Sequence, residues 1–234
     1  MDILKTKINY IVLVHNDEIP FVKLASGKNM ENFSKAFNFQ KAEVTQDGNT
    51  GNVIKLIFRY GIFQKSDENR IAIIRLEIEE RKLIVEMEGS SNDARDFYNN
   101  LVSQFVELVD APSESFLEPI VVANESEIIA RLQFPISGIL SSNYLEFVQS
   151  RVAESASSEF AEAIVSPSVI VFLVDFQVKD TYLSQHRIVL SKKEYSVQPA
   201  IGYPVDEQIY FSKAPVDTQT HIMLLNELEK TLAN

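Results

Sequence analysis

The chain has 234 residues, a net charge of -11, and 45% hydrophobic and 24% charged residues, a globular composition that excludes a disordered chain. That length allows one large domain or two ordinary ones, with cores that need no metal or disulfide to hold them. The absence of cysteine excludes thiol catalysis, iron–sulfur ligation and disulfide scaffolding.

Charge is mixed throughout: Met1 to Leu117 carries 14 basic and 18 acidic residues, and Glu118 to Asn234 carries 8 and 15. Neither half has the clustered Lys and Arg that phosphate binding calls for, so no nucleic-acid partner is expected. The pair Lys192 and Lys193 reads as a solvated turn. The apolar stretch Ile8 to His15 is short and runs into Asn16, Asp17 and Glu18, unlike a secretory signal. The longest unbroken apolar run, Val169 to Val174, is far below the roughly 20 residues of a membrane span. The expectation is a cytoplasmic protein without a membrane partner.

In chain order, Ile8 to Val14 reads as a strand, and Asn29 to Phe37 as a helix with Met30, Phe33 and Phe37 along one face. Gln40 to Thr45 adds a short strand before the turn residues Asp47, Gly48 and Gly51. Period-2 alternation then predicts three antiparallel strands with one buried face. Val53 to Phe63 turns Ile54, Leu56, Phe58, Tyr60 and Ile62 inward, Arg70 to Glu79 turns Ala72, Ile74, Leu76 and Ile78 inward, and Lys82 to Glu88 turns Leu83, Val85 and Met87 inward. A tight hairpin through Glu80 and Arg81 makes partner numbers sum to 161. Ile78 then faces Leu83, Leu76 faces Val85 and Ile74 faces Met87, while Glu79 faces Lys82 and Arg75 faces Glu86 on the open side. In that register Arg75→Glu should cost under about 1 kcal/mol, and Leu76→Ala about 2 to 5 kcal/mol. Beyond Ser90, Ser91 and Asn92, helical spacing of Phe97, Leu101, Val102, Phe105 and Leu108 predicts a helix from about Asp93 to about Val109.

Residues 112–119 read as a linker between an N-terminal half, 1–111, and a C-terminal half, 120–234. The same order then returns: a strand from Ile128 to Ile136, a helix from Tyr144 to Val152, and a long strand from Val169 to Lys179. A bent strand within Tyr182 to Tyr195 follows, then a strand from Gln208 to Lys213. The closing helix, Thr218 to Leu232, carries Leu224, Leu225, Leu228 and Leu232. A shift of 127 residues lays Phe97, Leu101 and Phe105 over Leu224, Leu228 and Leu232, which points to an internal duplication.

The expected fold class is α+β, with two similar halves of strand, helix, antiparallel meander and helix. This order resembles the architecture of TATA-binding-protein-like domains, a likeness of element order in which no motif takes part. The resemblance implies a curved sheet with helices on one side and an open face that binds DNA in that family. Here the open face of the first half would hold Lys55, Arg59, Arg75, Glu77, Glu79, Lys82, Glu86 and Glu88, a mixture that repels phosphates about as much as it attracts them. Fold does not carry function.

Chemical motifs are sparse. His15, His186 and His221 are too far apart in sequence for a short-range ligand pair such as HxxxH, and each reads as a surface or half-buried residue. Ser26–Gly27–Lys28 ends like a phosphate loop, but Val22 stands where the loop needs its first glycine. No GxGxxG or GxSxG occurs. Glu77, Glu79 and Glu80 offer carboxylates that read as a solvated face, and Asp175 marks a strand emerging into solvent. No cofactor and no metal is expected.

The expected function is that of a non-enzymatic protein-interaction or accessory subunit, with a protein partner or self-association on the open face through Lys55, Arg59, Arg75, Glu77 and Glu86. Two other readings remain open. One is an apolar-ligand binder with a cavity lined by Phe97, Tyr98 and Phe105, and the other an enzyme whose site is assembled from dispersed residues.

Overall fold

The computed structural model describes residues 1–15, 19, 21–109, 117–133, 135, 142–155, 168–175 and 192–233. His186, most of the expected linker, and the segments 176–179 and 182–191 of two expected strands lie outside them. The described elements are β1 (Asp2–Leu13), α1 (Phe21–Leu24), α2 (Gly27–Ala36), β2 (Lys41–Gln46), β3 (Val53–Gln64), β4 (Arg70–Glu79), β5 (Lys82–Glu88) and α3 (Ser91–Val109). They continue with β6 (Val121–Arg131), α4 (Ser142–Ser155), β7 (Ile170–Val174), β8 (Lys193–Pro199), β9 (Ile209–Ala214) and α5 (Thr218–Ala233). The fold is α+β, and its strands neighbour one another in the orders β2-β3-β4-β5-β1 and β6-β9-β8-β7. Among the described residues no helix is long and apolar enough to cross a membrane.

Two compact units divide the chain: an N-terminal unit of Lys5–Glu127 with Pro215–Thr220, and a C-terminal unit of Met1–Leu4, Ile128–Ala214 and His221–Asn234. In the N-terminal unit, β1 to β5 alternate core and solvent residues, and α2 and α3 supply the other wall of the core. Phe33 of α2 and Phe97, Leu101 and Phe105 of α3 are fully buried with Ile8, Leu56, Phe58, Leu76, Ile78, Leu83 and Val85. The i, i+4, i+8 spacing of the α3 residues places all three on one helical stripe. The phenylalanines touch one another in tilted and edge-on pairs, Phe33–Phe58 at 4.9 Å and Phe37–Phe97 at 5.1 Å between centroids, the geometry aromatic quadrupoles favour. At the start of α3 the Asp93 carboxylate accepts the Ser90 amide at 2.8 Å and the Ser90 hydroxyl at 2.6 Å, a capping box that satisfies free helix-terminal donors.

The β4–β5 register follows the alternation as expected, with Ile78 opposite Leu83, Leu76 opposite Val85, Glu79 opposite Lys82 and Arg75 opposite Glu86. It departs from expectation at the next pair: the register shifts between Ile73 and Arg75, so Met87 faces Ile73 instead of Ile74. On β3, Tyr60 takes a left-handed backbone with φ 57°, and the phase of both strands changes at this level. Gly61, Phe63, Ile71 and Ile73 are buried, whereas Tyr60, Ile62 and Ala72, expected to face inward, are exposed. Ile54, at the start of β3, is exposed as well. A β-bulge has this effect because one extra residue reverses every side chain beyond it.

Gly61 shows why the phase must change there. A Cβ at this position would lie 2.5 Å from two ring carbons of Phe39 and 3.0 Å from the Phe37 carbonyl. The Ile62 amide donates to that same carbonyl at 2.8 Å. The connection from α2 to β2 thus rests directly on the β3 backbone, and only glycine leaves room for it.

In the C-terminal unit the strand order is β6-β9-β8-β7, and Ile128, Ala130, Leu132, Val197, Tyr210 and Leu225 form the core. Of the leucines expected on the closing helix, Leu225 and Leu228 face the core, whereas Leu224 is exposed. The described strand in this region is β8, Lys193–Pro199, which shares only Lys193 to Tyr195 with the strand expected over Tyr182 to Tyr195.

Candidate functional site

The face of the N-terminal unit that points away from its aromatic core is a lattice of charges. The cross-strand register orders these side chains into rows. One row runs Lys82, Glu79, Lys55 over β5, β4 and β3. The next runs Ile11, Ile84, Glu77, Ile57 over β1, β5, β4 and β3, and the third runs Glu86, Arg75, Arg59, Lys41 over β5 to β2. All five residues expected on the open face, Lys55, Arg59, Arg75, Glu77 and Glu86, therefore lie on it together.

Glu77 is the centre of this lattice. It is only 6% exposed although its strand position is solvent-facing, because the Lys55 ammonium and the Arg75 guanidinium close over it at 2.7 and 3.3 Å. A carboxylate so enclosed is stabilised only while it stays paired. Lys55 also reaches Glu79 at 2.9 Å, and Lys82 meets Glu79 at 2.8 Å. Partial burial works against ionisation of Glu79, but hydrogen bonds from Lys82 and Lys55 outweigh it and hold the carboxyl at about 2. Hydrogen bonds to Glu77 and Glu79 likewise raise the Lys55 ammonium above its usual value. On β1, Lys7 bridges Glu127 at 2.8 Å and Glu86 at 3.0 Å.

The lysines and the arginines differ in how fully they are paired. Lys55, Lys82 and Lys7 sit 2.7 to 3.0 Å from their carboxylates, the length of a full charge-assisted hydrogen bond. Arg59 meets Glu43, and Arg75 meets Glu86, only at 3.5 Å, and the buried Arg75 Nε makes no hydrogen bond. Guanidinium donors on this face are thus held in position without being saturated.

The residues weighed for catalysis and for a cavity are placed otherwise. His15 is exposed. His221, expected at the surface or half-buried, is fully buried, with Nε2 2.8 Å from the Ser212 hydroxyl, and Ser212 donates its only proton to the Ser196 carbonyl at 2.8 Å. The proton between His221 and Ser212 must then belong to the imidazole. This is opposite to the arrangement in which a histidine takes a proton from a serine nucleophile, so the pair pins α5 to β9 and β8. Phe97, Tyr98 and Phe105 are packed into the core, and the Tyr98 hydroxyl donates to the Leu117 carbonyl. Asp175 is exposed, and Lys192 approaches it at 3.6 Å.

Neither a protein-family model nor a curated protein matches this sequence.

Proposed function

We propose that this protein is a non-enzymatic interaction or accessory subunit that docks a protein partner on the open sheet face of its N-terminal unit. One observation carries the reading: the face is a preformed lattice in which Lys7, Lys55, Lys82, Arg59 and Arg75 each lie within ion-pair distance of a carboxylate. Side chains already fixed by one another lose little further freedom on docking. Charges balanced at this spacing give register and partner choice, while their balance offers little net attraction to a polyphosphate. The proposed setting is a cytoplasmic complex.

The reading includes an internal duplication of the strand, helix, meander and helix order, in the manner of TATA-binding-protein-like domains. Support comes from the helix caps at an offset of 127 residues. Asp217 accepts the Thr220 amide at 3.0 Å and the Thr220 hydroxyl at 2.6 Å, occupying the places of Ser90 and Asp93 with the chemical roles exchanged. In each unit taken alone, the first strand also lies beside the last and the order then counts backward.

The test is light scattering on the full chain purified from its native host, compared with the double variant Lys55→Glu, Arg59→Glu. The wild type should elute as a complex or oligomer that the variant fails to form. A wild-type chain that is monomeric and without a partner at physiological salt would refute the proposal.

A further inference from the structure

Tyr60 and Ile62 stand out on the open face. They lie on β3 at the level of the β4–β5 register shift, are 57% and 40% exposed, and flank Gly61, whose position faces the core. Tyr60 holds a positive φ that a bulky residue rarely adopts, a strain that such a side chain keeps only where its surroundings impose it. Beside it, Lys41, Arg59 and Arg75 are direct cross-strand partners in a single row, although like charges placed opposite one another destabilise a sheet. A strained, exposed tyrosine next to a row of opposed cations breaks two local rules at one place, and such violations mark functional sites.

We infer that Tyr60 and Ile62, with Arg59 and Arg75, form the anchor of the docking face and take an acidic segment of a protein partner that carries an apolar side chain next to a carboxylate. This rests on the proposed docking function and names the chemistry of the partner. Charge complementarity selects the carboxylate. Arg59 and Arg75 keep about a third of their side chains exposed and meet Glu43, Glu77 and Glu86 only at 3.3 to 3.5 Å, so their exposed guanidinium edges can take a closer acceptor, and the planar fork of arginine matches a carboxylate in two-pronged fashion. Those same glutamates repel an extended polyanion, so one carboxylate fits better than a nucleic-acid backbone. The exposed ring of Tyr60 and the Ile62 side chain receive the apolar group, in keeping with the enrichment of tyrosine and arginine at binding hot spots.

The experiment measures binding to the full chain of fluorescein-labelled peptides of about 12 residues that carry one Asp or Glu beside one Leu or Phe in an otherwise neutral sequence. Comparison probes are the same peptides with Asn and Gln in place of the acids, and an oligothymidylate of about 20 nucleotides. The acidic peptides should bind at least about tenfold more tightly than either. Arg59→Gln and Tyr60→Gly should each lose at least about tenfold, about 1.4 kcal/mol, while Lys35→Gln on α2 changes nothing. Glycine suits the backbone of residue 60, so Tyr60→Gly should keep its thermal midpoint, and Ile62→Thr serves as a second variant of the patch. Equal binding of the amide peptides, tighter binding of the oligonucleotide, or undiminished binding by folded Tyr60→Gly and Ile62→Thr would overturn the inference. A native partner still held by Tyr60→Gly would remove this anchor alone and leave the docking function standing, whereas the absence of any partner would remove the function.

Discussion

Ser91 and Thr218 cap each other: the Ser91 amide donates to the Thr218 hydroxyl at 3.0 Å, and the Thr218 amide donates to the Ser91 hydroxyl at 3.2 Å. Each residue opens a long helix, where the first amides have no partner within the helix. The two hydroxyls therefore satisfy donors that local sequence leaves open, and the residues lie 127 positions apart.

From this clasp, Ser91→Ala and Thr218→Val should each cost about 1 to 3 kcal/mol in urea unfolding, since each leaves a sheltered amide without its acceptor. The double variant should cost less than the two together, because loss of either bond relaxes the geometry of the other. Strict additivity would show that the two bonds act independently.

Gly61→Ala should destabilise by about 1 to 3 kcal/mol, the usual cost of overpacking, because Phe39 is held between Phe33, Phe37 and Phe58 and cannot withdraw. Gly27→Ala, where an added methyl meets nothing within 4 Å, should be neutral or mildly stabilising. Thermal melts of the two variants compare them directly.

The lattice around Glu77 alters the expectation for Arg75. Alternation alone makes Arg75→Glu a surface change of under about 1 kcal/mol. In the structure the reversal sets a third carboxylate against buried Glu77 and half-buried Glu86, and the cost should rise to about 1.5 to 3 kcal/mol. Leu76→Ala, in the fully buried core, should still cost about 2 to 5 kcal/mol. Urea midpoints measured at low and high salt separate them, since only the Arg75 effect should shrink with screening.

Acid should loosen the same lattice. The Glu79 carboxyl titrates at about 2 in the fold against an ordinary 4.5, so the folded chain binds its proton less readily than the unfolded chain does. Its contribution to stability is present above about pH 4.5 and is lost as pH falls toward 2. Glu79→Gln should therefore flatten the stability profile in that window and leave its shape near neutrality unchanged. An unchanged acid limb would contradict the pairing with Lys82 and Lys55.

Period-2 patterning made the β4–β5 hairpin legible because both strands bury one face, and a slip at Leu76 or Val85 would send apolar groups to solvent. It also brought Lys55, Arg59, Arg75, Glu77 and Glu86 onto one surface. The bulge was not legible, since Tyr60, Ile62, Ala72 and Ile74 fit an inward-facing pattern in an unbroken strand. Gly61 within the strand was the available signal, but its meaning depends on Phe39, which reaches it only in the folded chain. Burial of Glu77 was likewise hidden, because it arises from Lys55 and Arg75 closing over the carboxylate rather than from the residue's own polarity. The His221–Ser212–Ser196 chain joins residues whose proximity depends on the pairing of β8 with β9 and on the packing of α5.

Hydroxyl-radical footprinting of the full chain, free and in complex with its copurified native partner, tests the docking account most directly because it reports side-chain exposure. Tyr60 and Ile62 should be strongly labelled in the free protein and protected in the complex, while Met223, exposed on α5 of the C-terminal unit, should be labelled equally in both. Equal labelling of Tyr60 and Ile62 in the two states would contradict the claim that this face holds the partner.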